Sequence, residues 1–294
     1  MRTQRASRTA EVVAAFRAIH TKYHDAPKLV EDPYAAQLTS APFRLLVRSP
    51  ALYWLATFRR FYGWSWPLQG EALARGRYAE DKLEASLDDG IAQYVMLGAG
   101  LDSFALRRRD LTEKIAVFEI DHPATQRAKL ERLRKNGWEV PRSVTMVAVD
   151  MEVDSLRDRL LQTSYAPTTP TFFALLGTVP YLTREAFAST LADVSSLCPA
   201  GSLFVFDFPA PEFFDAIPSS YHLRKMDRGT KRRGEPLITS FCTDELRELL
   251  ADAGWELAEL VSPEEQEARY FAEREDLLCP LDHFYFACAR KVGG

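Results

Sequence analysis

Tyr94-Val-Met-Leu-Gly98-Ala99-Gly100-Leu-Asp102-Ser103-Phe104 decides how this chain is read. An apolar run passes straight into Gly-x-Gly, as in a buried strand that turns sharply into a helix. Such a turn brings its backbone close to a bound nucleotide, because a side chain at either glycine would obstruct the approach. A second apolar run, Val117-Phe-Glu119-Ile-Asp121, ends in an acid 23 residues beyond Gly98, about the spacing at which a carboxylate grips ribose hydroxyls. The plainer alternative is a tight βα turn in which Asp102 caps the helix.

Around this pair, from Ile91 onward, short β-branched or aromatic runs alternate with segments of helical period, the pattern of a sheet covered on both faces. Seven strands are expected, at 93–97, 115–120, 143–149, 171–176, 202–208, 255–261 and 284–290. Pro123 opens a helix striped by Ala128, Leu130 and Leu133, which Lys135 and Gly137 close. Thr183 caps a second, with Phe187, Leu191 and Val194 on one face. Thr243 is expected to cap a third, carrying Leu246, Leu249 and Leu250 inward before Gly254. A helix at about 78–89, stopped by Gly90, precedes the first strand. The fold class is α/β.

Two stretches exceed a minimal unit of this kind. Residues 1 to about 74 are helical in character and rich in aromatics. Residues 209–240 carry Phe213, Phe214, Tyr221 and His222, then the basic cluster Arg224, Lys225, Arg228, Lys231, Arg232 and Arg233. Ligands of such sheets bind outside the carboxyl ends of the strands, so both additions are expected to form lid and substrate pocket. Without repeats or low-complexity linkers, the chain reads as one body: a helical cap (1–74) and a nucleotide-binding α/β domain (75–294) with a cap insertion at about 209–240.

Composition narrows the function. With 294 residues, 47% of them hydrophobic, the chain can build a large core, which excludes disorder and a disulfide-stapled scaffold. Lys and Arg total 37 against 41 Asp and Glu, so no global positive field draws it to nucleic acid. Cys198, Cys242, Cys279 and Cys288 form no C-x-x-C pair; no metal is expected, and the thiols read as reduced in a cytoplasm. The apolar stretch Val12–Ile19 is interrupted by Glu11 and Arg17 and lacks a cleavage site, so no export signal is expected. Apolar runs such as Leu203–Phe206 are far shorter than the roughly 20 residues that cross a bilayer.

The nucleoside follows from charge. A dinucleotide fingerprint wants a third glycine where Ser103 stands, and anionic Asp102 beside the helix start repels a pyrophosphate. S-adenosyl-L-methionine (SAM) has no phosphate. Its sulfonium and ammonium favour nearby carboxylates, and only its carboxylate needs a cation, which Arg75 or Arg77 can supply. Alternatively, these arginines pair with Glu80, Asp81 or Glu84 on a helix surface.

The segments Ala74-Arg75-Gly-Arg77-Tyr-Ala-Glu-Asp81, Gln93 to Arg107 and Phe118-Glu-Ile-Asp121-His122-Pro123 to Lys129, with Asp32-Pro33-Tyr34-Ala35 upstream, resemble the leucine carboxyl methyltransferase family, and most closely its bacterial polyketide-type O-methyltransferase branch. The resemblance covers nearly the whole chain. It implies a class I SAM-dependent methyltransferase fold: a Rossmann-like, seven-stranded, mostly parallel sheet with a final antiparallel hairpin and helical cap additions. Carried over by position, Arg75 holds the SAM carboxylate. The loop of Gly98, Ala99, Gly100 and Asp102 underlies the methionine portion, Asp121 binds ribose, and Asp150-Met151 meets adenine. The family's Glu-Gly-x-x-x-Tyr-Leu motif falls on Leu176-Gly177-Thr-Val-Pro180-Tyr181-Leu182. Leucine in place of glutamate permits a main-chain contact there but no ionic one. Independently of the resemblance, Asp150 can simply cap the next turn, His122 can shape a helix start, and Tyr181 can face substrate or pack beneath the fourth strand.

Methyl transfer is an in-line displacement governed by positioning and exclusion of water, and a general base is needed only for a protonated acceptor. A carboxylate acceptor needs none. For a hydroxyl, the candidates among the five histidines are His20, His24 and His222. The basic cluster reads as a solvated loop or as a receiver for an anionic substrate or acidic carrier. The expected partner is a small-molecule methyl acceptor. An NAD(P)-dependent oxidoreductase and a non-catalytic SAM-binding protein are the competing readings.

Overall fold

A computed structural model of the chain describes residues 7–24, 26–57, 65–150 and 153–293. Strands β1 (Gln93–Leu97), β2 (Ala116–Asp121), β3 (Val144–Ala148), β4 (Thr171–Leu175) and β5 (Leu203–Pro209) run parallel. With β6 (Trp255–Val261) and β7 (Phe284–Lys291) they form one seven-stranded sheet in the order β3-β2-β1-β4-β5-β7-β6, in which β7 lies antiparallel to both neighbours. All seven expected strands are present, with ends shifted by at most one residue.

The sequence of β1, β4 and β5 explains this layering. Every residue in these strands is buried, which requires cover on both faces and a nearly continuous apolar run rather than alternation, with Gln93, Thr171 and Asp207 the polar exceptions. Successive side chains still alternate between faces. Tyr94 and Met96 pack with Leu73, Tyr78, Leu83 and Phe104 on one side, while Val95 and Leu97 pack with Phe118, Phe173, Phe187 and Leu191 on the other. Truncating any of these fully buried phenylalanines to alanine costs about 3–5 kcal/mol.

The longer helices are α1 (Arg8–Tyr23), α2 (Trp66–Ser86), α3 (Pro123–Lys135), α4 (Arg184–Ser196), α5 (Tyr221–Arg233) and α6 (Thr243–Asp252). α3 starts as expected: His122 Nδ1 accepts from the Ala124 amide at 3.2 Å, and Gly137 follows its end at φ +69°. Thr183 caps α4, its hydroxyl accepting from the Ala186 amide at 3.1 Å.

Two boundaries are corrected. The helix expected at 78–89 begins at Trp66, so α2 runs unbroken across positions 74 and 75. Gly70 inside it answers to packing, since a β-carbon there would meet the Cys279 carbonyl oxygen at 2.0 Å. In α6 the cap is Cys242, whose backbone is extended and whose amide donates to Glu245 at 3.1 Å; Thr243 is already helical.

The chain leaves β1 through β2 and β3 and returns to β4 on the opposite side of β1. This reversal opens a crevice at the carboxyl ends of β1 and β4, where α/β sheets of this kind bind ligands. No helix among the described residues is long and apolar enough to cross a membrane.

Candidate functional site

A cavity of about 320 Å³ occupies that crevice. Its floor is the loop after β1. Gly98 and Gly100 have φ of +75° and +57°, in the left-handed region that only glycine enters freely. The amides of Gly98 and Ala99 both donate to the Ile120 carbonyl, at 2.9 and 3.0 Å, which pins the loop to the end of β2. A β-carbon on Gly98 would stand 3.3 Å from Thr178 Oγ1, and one on Gly100 3.1 Å from Ala10 Cβ. The loop is therefore enclosed by the segment after β4 and by α1.

Asp121, at the end of β2, lines the cavity and holds the loop. Its Oδ2 accepts from the Gly100 amide at 2.5 Å and its Oδ1 from the His122 amide at 2.7 Å. Burial raises its pKa, although these two N–H bonds pull the other way. Each oxygen keeps a lone pair for a ligand hydroxyl.

Asp102 lines the cavity, and its Oδ1 accepts from the Phe104 amide at 2.7 Å, just ahead of the short helix Phe104–Arg107 whose N-cap position is Ser103. Burial opposes its ionisation, but Arg17 at 3.9 Å and Arg107 at 3.5 Å prevail and hold its pKa near 2. Arg17 belongs to α1 and bonds Asp32 at 2.8 Å and the Leu101 carbonyl at 2.6 Å, while Ser103 Oγ donates to Asp32 at 2.5 Å. The Asp32-Pro33 segment thus ties the cap to the underside of the glycine loop.

Arg75 and Arg77 separate cleanly. Arg77 pairs with Asp81 at 2.7 Å on the surface, whereas Arg75 turns into the cavity wall. Its Nη1 lies 2.9 Å from both Glu71 carboxylate oxygens and 3.6 Å from Asp207 Oδ2. Asp207 is fully buried in β5, and its Oδ1 accepts from the Gly177 amide at 2.5 Å. Burial raises the pKa of both Glu71 and Asp207 against the pull of Arg75.

Leu176 and Tyr181, from the motif after β4, also line the cavity. Asp150 is not among its described lining residues. Its main-chain carbonyl accepts from the Val153 and Asp154 amides, and its carboxylate lies 3.6 Å from His122 Nε2. Met151 lies outside the described residues.

A second cavity, of about 370 Å³, adjoins the first and shares Thr9, Val13, Ala72, Arg75, Gly177 and Tyr181 with it. Its walls are mostly apolar: Phe16 and Ile19 of α1, Phe43, Tyr53, Met226 of α5, Leu237 and Phe284. Both additions to the core, the N-terminal helices and the 209–240 insertion, therefore wall this space, and Glu235 of the insertion reaches the first cavity, where it accepts from Thr9 Oγ1 at 2.5 Å. Of the basic cluster, Lys225 lines the second cavity.

None of the three histidines considered as bases lines either cavity, which corrects that expectation. His20 is buried, its Nδ1 lies 3.0 Å from His24 Nδ1, and its Nε2 accepts from the Leu29 amide at 2.9 Å. Burial lowers its pKa to about 3. What the residue pattern missed were Glu71 and Asp207. A legible signal existed for each: Glu71 stands one turn before Arg75, and Asp207 is a lone charge inside an apolar strand.

The leucine carboxyl methyltransferase family model matches residues 10–195. A Bacillus subtilis (strain 168) relative named "Putative S-adenosyl-L-methionine-dependent methyltransferase YktD" is 31% identical, over 99% of this chain and 100% of its own length. Two crystal structures share the fold: a DUF574 family protein from Streptomyces avermitilis (TM-score 0.59, 15% identity, 97% of this chain and 98% of that one) and a protein from Thermobifida fusca titled a "putative methyltransferase" (TM-score 0.60, 14% identity, 100% and 97%).

Proposed function

The chain belongs to the leucine carboxyl methyltransferase family, and from that premise we propose that this SAM-dependent methyltransferase methylates an oxygen of a small, largely apolar acceptor such as a polyketide-type metabolite. One observation carries the reading: a cavity over the glycine loop, bordered by Arg17, Asp102, Arg107 and Asp121, adjoins a second one walled mostly by apolar side chains, with Arg75, Ala72, Gly177 and Tyr181 at their junction. A methyl donor in the first can face an acceptor in the second.

The cofactor is SAM, which supplies an electrophilic methyl group on a sulfonium sulfur. The residues present suit it. In this reading Asp121 would take the ribose hydroxyls, Arg75 the carboxylate, and the loop Gly98-Ala99-Gly100 with the main chain of Leu176 the methionine portion; all of them line the cavity. Asp102 offers a negative charge to the cationic groups; adenine is assigned to Asp150-Met151 by the resemblance alone, since Asp150 is not among the described lining residues of the cavity. The α/β core (75–294) would bind cofactor while the cap (1–74) and the 209–240 insertion exclude water from the acceptor, the condition under which positioning alone accelerates the displacement. This reading implies an enzyme of cytoplasmic secondary metabolism.

A nicotinamide dinucleotide suits the cavity less well. Ionised Asp102 repels a pyrophosphate, and Ser103, its hydroxyl bonded to Asp32, stands where a dinucleotide fingerprint has its third glycine.

Calorimetry with SAM, S-adenosylhomocysteine and NADPH, on the wild type and Asp121→Ala, tests the reading. Binding of both adenosyl ligands, weakened in the variant, with none for NADPH, is expected. NADPH binding in their place would sink it.

A further inference from the structure

O-methylation of a hydroxyl requires somewhere for its proton to go, and the histidines lie elsewhere. Among the described residues, the titratable side chains lining the acceptor cavity are Glu71, Arg75, Tyr53, Tyr181 and Lys225. Glu71 is the sole carboxylate of that set, and it sits one turn along α2 from Arg75, which lines both cavities. A proton acceptor at Glu71 therefore stands beside the junction where the acceptor oxygen must meet the methyl group.

We propose that Glu71 is the general base of this site, taking the proton of an acceptor hydroxyl as that oxygen attacks the methyl carbon. The proposal rests on the methyltransferase reading above and adds a catalytic residue to it. The hydroxyl O–H bond breaks and its proton passes to a Glu71 carboxylate oxygen. The acceptor oxygen forms a bond to the methyl carbon while the carbon–sulfur bond breaks, its electron pair remaining on sulfur. The products are the methyl ether and S-adenosylhomocysteine, and the proton leaves Glu71 for solvent before the next turnover.

The surroundings of Glu71 fit the task. Arg75 on its own helix holds it in one orientation through two 2.9 Å contacts. Asp207, from β5, lies within hydrogen-bonding reach, so the two carboxyls can share one proton across the arginine. Tyr181 stands near Arg75 from the turn after β4, and Lys225 faces the same cavity from α5. Burial and the Asp207 charge move Glu71 up to about 7, against a solution value near 4.3, which brings it closer to a phenolic hydroxyl at about 10 and makes it a stronger base.

The test pairs two acceptors with one ring system, 2-naphthol and 2-naphthoic acid, because the carboxylate has no proton to lose. Transfer of labelled methyl from SAM is measured for the wild type, Glu71→Gln and Asp207→Asn from pH 5.5 to 9, alongside S-adenosylhomocysteine affinity and melting temperature. Three results are expected. Wild-type transfer to 2-naphthol rises through about pH 7. Glu71→Gln loses at least about 100-fold on 2-naphthol but no more than about tenfold on 2-naphthoic acid and in S-adenosylhomocysteine affinity. Asp207→Asn moves the acid limb to lower pH, which a purely structural role for Glu71 would not produce.

Retention of 2-naphthol transfer in Glu71→Gln overturns the proposal. So does an equal loss on both probes, or a wild type that methylates only 2-naphthoic acid or neither probe while binding S-adenosylhomocysteine. Failure of the wild type to bind S-adenosylhomocysteine defeats the broader methyltransferase reading, and this proposal with it.

Discussion

The guanidinium of Arg75 lies directly on the α-carbon of Gly177: a β-carbon at that position would come within 2.3 Å of Nη2 and 2.5 Å of Cζ. Gly177 also has φ +63°, and its amide donates to Asp207, the second carboxylate beside Arg75. One glycine thus seats the cation from above while its amide orients the acid beside it. This explains a glycine after the fourth strand without any appeal to flexibility.

Gly177→Ala should consequently displace Arg75 rather than merely strain the turn. The left-handed backbone costs about 1 kcal/mol for alanine, a modest loss visible in the melting temperature. The affinity for S-adenosylhomocysteine should fall much further, by tenfold or more, and calorimetry separates the two effects. An affinity that falls no more than stability does would show that Arg75 does not engage the ligand.

At Asp121 the comparison of Asn with Ala is informative. Both carboxylate oxygens accept backbone amides, from Gly100 and His122. Asparagine retains one acceptor and the side-chain shape, whereas alanine leaves both amides unsatisfied at about 1–3 kcal/mol each if they stay buried. Asp121→Ala should lose S-adenosylhomocysteine binding and stability together, and Asp121→Asn chiefly binding. Equal binding in all three proteins would remove Asp121 from the site.

Acid should weaken the cap through His20. Its pKa is about 3 in the fold against 6.5 when unfolded, so between those values the unfolded chain binds more protons. The stabilisation is complete above pH 6.5 and is lost as pH falls, with a slope approaching about 1.4 kcal/mol per pH unit. Denaturant titrations from pH 8 to 4.5 should show His20→Gln less stable at the alkaline end yet with a shallower decline. Parallel curves for the two proteins would mean that folding leaves the His20 pKa unshifted.

Thr9 of α1 and Glu235 of the 209–240 insertion meet at the first cavity through a 2.5 Å hydrogen bond. Thr9→Val preserves shape and removes the donor, at about 1–2 kcal/mol for a bond to a charged acceptor. Hydrogen exchange in residues 8–23 and 221–235 should speed up, and S-adenosylhomocysteine should dissociate several-fold faster. Unchanged exchange would make the contact incidental to closure.

Much was legible in the residue pattern because it rests on local physics. Mostly apolar runs announced β1, β4 and β5, since a strand buried on both faces carries few polar residues. Gly98 and Gly100 announced the loop, since their backbone conformations exclude most other residues. Asp121 announced itself by ending a strand at the right distance. By contrast, the helix expected at 78–89 starts at Trp66, and Gly70 within it is tied to the Cys279 backbone, a packing contact that only the tertiary structure shows.

Sequence alone determined the α/β sheet, its strands, the glycine loop and the acid opposite it, because hydrophobic period and glycine stereochemistry act over a few neighbouring residues. Residue chemistry alone could not choose between Arg75 and Arg77, a choice that only the resemblance made, nor could it separate His20, His24 and His222 from the second cavity or bring Glu71 and Asp207 together. Those outcomes depend on side chains 136 positions apart converging on one guanidinium. Such a convergence is set by how β5 and α2 pack across the sheet, and the desolvation that tunes its charges exists only after that packing is complete.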